Sequence, residues 1–251
     1  MIHSVDRAMR ILAVLAGRRM SLGEIASRLD LAPSTTHGIV RTLLAHGMVV
    51  QERDSGHYRL GPGTLRLGTV YLDTLELRAR VAGWAGELAR RTGCAVRTGV
   101  LLLSDVVVVA HEPRPDGVRQ MPEVGIVIPA HACALGKALL AHEPGTAPTL
   151  HAMTGETITD AAALEAELHH VRRTGIATEV EEAVIGECGL AAPVADATDV
   201  AGAIGLVVAS SGWPLPGTAL DALRDTARAV SRELGATAWP PAAAISGPAS
   251  A

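Results

Sequence analysis

Residues 21–47, SLGEIASRLDLAPSTTHGIVRTLLAHG, decide how the whole chain is read. Ser21 with Glu24 three residues on forms a capping box, so a helix starts here. Leu22, Ile25, Ala26 and Leu29 recur at helical spacing and give it one apolar face. Asp30-Leu31-Ala32 is the turn. Pro33 suits the first position of a second helix, where its missing N–H has no partner to lose. Ile39, Val40, Leu43 and Leu44 face inward in that helix, and Gly47 fits its C-terminal cap. The outer face carries Ser34, Thr35, Thr36, His37, Gly38 and Arg41. Short hydrogen-bonding side chains, one Gly and one guanidinium are what a helix entering the DNA major groove requires. An ordinary helical hairpin with a polar outside is the competing reading.

The residues that follow favour DNA. Met48–Glu52 suits a strand, Asp54-Ser55-Gly56 a turn and His57–Leu60 a second strand. A helix-turn-helix followed at once by a hairpin is a winged arrangement. Arg53, His57 and Arg59 on the wing are placed to reach a phosphate backbone. Upstream, Ser4 is expected to cap a helix through Leu15. Gly17-Arg18-Arg19 ends that helix and offers two guanidiniums to phosphates or to solvent.

The run Ser34 to Leu43, then Gly47, then Gly56-His57-Tyr58-Arg59-Leu60-Gly61, resembles the N-terminal domain of the IclR-type bacterial transcription regulators. Ser4 to Leu12 resembles that family's first helix. Many members carry an Arg where this chain has Gly38. The streptomycete glycerol-operon regulators, a subgroup, look like this chain there and share its His-Gly-Ile. Residues 71–80 are similar to the same subgroup.

At 251 residues the chain exceeds the usual size of one core, so two domains are expected. It has no Phe and few aromatics, so its core must be aliphatic. Net charge is −4, which taken alone argues against nucleic acid. Residues 1–68, however, hold nine Arg against five acids, a net of +4, leaving −8 for the remainder. A basic small domain tied to an acidic larger one is the asymmetry of a DNA reader with a control module. Cys94, Cys133 and Cys188 form no CxxC pair and read as reduced thiols of a cytoplasmic protein. No secretory leader and no membrane-spanning run is seen.

Gly61-Pro62-Gly63 is a breaker, and the domain boundary is placed there. The divisions expected are residues 1–62 for the winged domain, 63–77 for a linker helix, 78–239 for an effector domain and 240–251 for a disordered tail. The second half alternates short apolar strands with helices, which suggests an α+β fold with a mainly antiparallel sheet. The resemblance implies a GAF-like effector domain, carried by His131 to Lys137 and Glu179 to Pro193.

Catalysis finds little support. His131 and Cys133 lack the tight pairing of zinc ligands, and at a spacing of two they do not face each other as base and nucleophile. No phosphate loop is present. No metal and no cofactor are expected. A GAF-type thiol enzyme or redox sensor using the three cysteines remains the alternative to a ligand-gated regulator. The resemblance implies a ligand cavity lined by Cys133, Ala134, Leu135, Gly136, Glu179, Gly189, Gly205 and Val207. Backbone N–H groups of Ala134, Leu135 and Gly136 at a helix start would favour an anion, and Glu179 could accept from ligand hydroxyls. Gly205 and Val207 stand where some carboxylate-binding relatives have hydroxyls. A small hydroxylated anion therefore fits better than glyoxylate or pyruvate, and the resemblance to the glycerol-operon subgroup implies glycerol 3-phosphate or a similar three-carbon compound. The implied partners are a palindromic double-stranded DNA operator and a second copy of the chain, as a homodimer or dimer of dimers, with no membrane.

Overall fold

The computed structural model describes residues 2–143, 145–146 and 148–241. The chain forms two compact units, Met1–Thr74 and Leu75–Ala251.

The first unit contains α1 (His3–Val14), α2 (Leu22–Leu29), α3 (Pro33–Ala45), β1 (Val49–Gln51), β2 (Tyr58–Leu60) and α4 (Pro62–Thr74). The capping box forms: Glu24 N donates to Ser21 Oγ at 3.3 Å, and Ser21 N to Glu24 Oε2 at 2.6 Å. Asp30 takes a left-handed conformation, φ 53°, and turns the chain into α3. Ser4 does not cap α1. The helix starts two residues earlier, after Ile2, and its N-cap makes no side-chain hydrogen bond. β1 and β2 pair antiparallel, Val49 opposite Leu60, and Met20 exchanges two backbone hydrogen bonds with Tyr58 to close the wing onto the helices. Ile11, Leu15, Ile25, Leu29, Val40, Leu43, Val49 and Tyr58 make one small core. Burying each such side chain contributes about 1.5–3 kcal/mol.

Gly61-Pro62-Gly63 leads straight into a helix. Helix α4 starts at Pro62, Gly61 N donates to Met48 O at 2.8 Å, and Gly63 N donates to Gly47 O at 2.9 Å. A Cβ on Gly61 would stand 2.3 Å from that Gly47 oxygen. These glycines serve close backbone approach, so α4 clusters with the first unit and the chain divides at Leu75.

The second unit contains α5 (Glu76–Thr92), β3 (Ala95–Leu102), β4 (Asp105–Glu112), β5 (Val127–Pro129), α6 (Ala134–Leu140), α7 (Ala161–Thr174), β6 (Ala177–Val180), β7 (Glu187–Ala195), β8 (Val200–Ala209) and α8 (Gly217–Glu233). The six strands form one antiparallel sheet in the order β5-β4-β3-β8-β7-β6. Helices α5 and α8 cover the face holding Ile204 and Leu206, while α6 covers the other, with α7 packed on it. Two glycines of β8 show the division: a Cβ on Gly202 would strike Leu77 of α5 at 2.3 Å, and one on Gly205 would stand 3.2 Å from Leu135 of α6. Asp160 caps α7 through Ala163 N, and left-handed Gly93 and Gly175 end α5 and α7. Trp239 Nε1 donates to Pro193 O at 2.8 Å, so the chain is still anchored at its last described turn. Residues 242–251 of the expected tail lie outside the described residues. Among the described residues, no helix is long and apolar enough to cross a membrane.

Candidate nucleic-acid interface and effector site

Helix α3 presents Ser34, His37 and Arg41 fully, and Thr35 and Gly38 partly, to solvent. Thr36 is a correction. It is fully buried, and its Oγ1 donates to Ala32 O at 3.2 Å. Positions 36, 40 and 43 fall on one helical stripe, so Thr36 belongs with the inward Val40 and Leu43. At Gly38 a Cβ would meet nothing within 4 Å. On the wing, Arg53 is exposed. Arg59 stands 3.5 Å from Glu52, which Arg19 also reaches at 3.1 Å, and His57 stands 3.7 Å from Glu24. Arg18, Arg19 and Arg59 line a cavity of about 250 Å³ with Leu15, Gly17 and Leu60. Three guanidiniums, two of them paired to one carboxylate, leave this end of the unit positive, as phosphate contact requires.

In the second unit the expected effector residues gather at the start of α6. Gly136 is there because a Cβ would stand 2.1 Å from Ala130 O, so only Gly lets α6 pack on the preceding turn. Two of the three N–H groups expected to hold an anion are already donated: Ala134 N to Glu179 Oε2 at 3.1 Å, and Gly136 N to Cys133 Sγ at 3.3 Å. Glu179 is itself the carboxyl group at this helix end. It is 5% exposed, and burial pushes its pKa up to about 7, against the N–H groups of Ala134 and Ala183 and with help from Glu187 and Glu182. Sheet register puts Glu179, Gly189, Val207 and Ala95 in one row on the α6 face. A Cβ on Gly189 would lie 3.9 Å from that of Ala134, so Gly189 and Gly205 form a floor on which α6 rests. Lys137 fixes α6 from its buried side through Glu182, at 2.7 Å.

Beyond that floor lies a cavity of about 240 Å³, lined among others by Ala95, Arg97, Arg114, Gln120, Glu123, Glu187 and Val207. Val207 is the one expected effector residue on its wall. Sequence reasoning passed over Arg97, although a lone charge in the apolar strand Ala95–Leu102 is a signal. Its side chain is 11% exposed and pairs with two carboxylates. Nε and Nη2 donate to Glu123, and Nη1 and Nη2 to Glu187 at 2.6 and 3.0 Å. Burial works against the charged guanidinium, but the two carboxylates outweigh it and raise its pKa. His111, directly across the sheet from Arg97, holds Nε2 3.6 Å from Glu123 without a hydrogen bond.

Residues 69–232 match the family described as "Bacterial transcriptional regulator IclR C-terminal", and residues 4–53 match the IclR helix-turn-helix domain. The chain belongs to the IclR family. It is 45% identical to the glycerol operon regulatory protein of Streptomyces griseus, over 94% of this chain and 97% of that protein. An IclR transcriptional regulator from Alicyclobacillus acidocaldarius shares the fold with a TM-score of 0.77 and 27% identity, over 94% of this chain and 100% of that one. So does an IclR homologue from Microbacterium hydrocarbonoxydans complexed with 4-hydroxybenzoate, with a TM-score of 0.74 and 23% identity, over 92% of this chain and 98% of that one. Members of the IclR family bind DNA through the helix-turn-helix domain and bind small-molecule effectors, and this chain is such a transcriptional regulator.

The thiol chemistry kept open above finds no support among these relatives, which are transcriptional regulators, and the geometry is against it. Cys94, Cys133 and Cys188 are all buried. Burial raises the pKa of each, that of Cys133 to about 12, whereas a reactive or sensing cysteine needs an accessible thiolate. His131 and Cys133 do not act together either: His131 Nε2 faces His151 O at 3.0 Å, and Cys133 faces Gly136.

Proposed function

We propose that this regulator is a repressor that reads a palindromic operator as a homodimer or dimer of dimers in the cytoplasm, and that a small hydroxylated anion controls it. Residues 1–62 read DNA, 63–77 pass the signal and 78–239 receive the effector. Ser34, Thr35, His37, Gly38 and Arg41 enter the major groove, while Arg53 and Arg59 meet phosphates. The observation that carries this is the exposed polar face of α3 beside a wing whose free and paired arginines point the same charge outward. Two such helices about one helical turn apart match a two-fold operator.

The effector lies against the α6 face, between Cys133–Gly136, Glu179 and the wall of Gly189, Gly205 and Val207. Glycerol 3-phosphate or a similar three-carbon compound suits a wall without hydroxyls and the name of the 45% identical relative. Effector binding shifts the population of the DNA-competent state. The test is a gel shift on the chain's own upstream DNA with glycerol, glycerol 3-phosphate, pyruvate and glyoxylate. Release by glycerol 3-phosphate at concentrations where glyoxylate does nothing is the expected result. Release by glyoxylate alone, or no binding to that DNA, would overturn it.

A further inference from the structure

We infer that Arg97 is the cation that receives the anionic group of the effector, and that Glu123 occupies its place until the effector displaces it. This rests on the proposal of an anionic effector above.

Arg97 lies on the effector face of the sheet. Its strand partner there is Gly205, and the next is Ala191. Its guanidinium and the Glu179 carboxyl group both act on the Cys133 thiol, so one neighbourhood holds the cation and the expected effector groups. An anion at the start of α6 meets N–H groups already donated to Glu179 and Cys133, whereas an anion in the neighbouring cavity meets a buried guanidinium, the fork that matches carboxylate and phosphate geometry.

That guanidinium carries one carboxylate more than it needs. The two carboxylates differ in how they are held. Glu187 starts the long strand β7, which lies between β8 and β6; it pairs with Ala209 of β8, and its carbonyl accepts from Glu181 N at 2.9 Å. Glu123 belongs to the connection between β4 and β5, where the described residues form no helix or strand and a few backbone bonds, such as Gly125 N to Val108 O, tie the chain down. Two like charges on one buried cation repel, so the loosely held one is the one to leave. His111, with Nε2 unbonded beside Glu123, and Arg114 on the cavity wall then face the incoming anion. Displacement frees Glu123 and the segment 113–126, and ligand binding thereby becomes a change of chain order.

Calorimetry with glycerol 3-phosphate, inorganic phosphate and glycerol, on the full chain and on Arg97→Gln and Glu123→Gln, tests this. Hydrogen exchange over 113–126 is followed alongside, and thermal melts check folding. An anion should bind Arg97→Gln more than tenfold more weakly and Glu123→Gln more than tenfold more tightly, and it should speed exchange in 113–126. Should Arg97→Gln fail to fold, the gain in Glu123→Gln and the exchange decide. Binding of an anion to Glu123→Gln alone also supports competition. Equal affinity of all three proteins, or unchanged exchange, overturns the role of Arg97 and leaves the anionic effector standing. Heat from glycerol and from neither anion, in wild type and Glu123→Gln alike, overturns both.

Discussion

Glu179 makes the stability of the second unit fall with rising pH, and Glu179→Gln should remove that dependence. The buried carboxyl group has a pKa of about 7 in the folded chain against an ordinary 4.5. Between those values the folded chain holds a proton that the unfolded chain has lost. The unfolded state therefore binds fewer protons, and stability declines as pH rises from 4.5 until it levels off above 7. The full difference is about 3 kcal/mol at about 1.4 kcal/mol per pH unit, and most of it, about 2–3 kcal/mol, falls between pH 5 and pH 8. Gln is nearly isosteric, keeps an oxygen for Ala134 N and carries no charge at any pH. Titrating groups that do not interact with Glu179 are present in both proteins and cancel. Urea unfolding followed by tryptophan fluorescence is the assay, since Trp84, Trp213 and Trp239 all lie in the second unit. Wild type should lose about 2–3 kcal/mol more than Glu179→Gln between pH 5 and pH 8. Parallel pH profiles for the two proteins would refute the reasoning.

Three further substitutions address the DNA-reading face. Arg41→Ala should weaken operator binding by about 1–3 kcal/mol if Arg41 meets a base, or weaken all sequences alike with a flatter salt slope if it meets a phosphate; unchanged affinity for operator and random DNA removes it from the interface. Gly38→Arg should raise the melting temperature, because mid-helix Gly costs about 1 kcal/mol and the site is open, while changing operator preference in a binding-site selection; unaltered preference makes Gly38 incidental. Thr36→Ala should lower stability by about 1–2 kcal/mol through lost packing and a lost hydrogen bond, with sequence selectivity of the folded protein intact in a gel shift; altered selectivity would return Thr36 to the interface.

What could be read in the sequence was local. The capping box of Ser21 and Glu24, the Asp30 turn and Pro33 at a helix start each depend on a few neighbouring residues, and each stands as expected. What escaped depends on distance. Thr36 was assigned by polarity, and its register with Val40 and Leu43 decided otherwise. Gly61 and Gly63 read as a break because their partner is the carbonyl of Gly47, far behind them in the chain. The Arg97 trio draws on residues 26 and 90 positions away, and no spacing rule connects them. The start of α6 was read as open to an anion, yet Glu179 arrives there across 45 residues.

The joint between α3 and α4 has mechanical meaning. Gly63 N is bonded to Gly47 O, and two glycine Cα atoms sit where no side chain would fit. A glycine pair is usually a swivel. Here it works as a weld, because contact at van der Waals limits leaves the backbone no room to rotate. The end of α3 and the first turn of α4 therefore behave as one stiff crank. Mutational drift at 61 and 63 is closed for the same reason: any larger residue would pry the crank apart before it touched DNA.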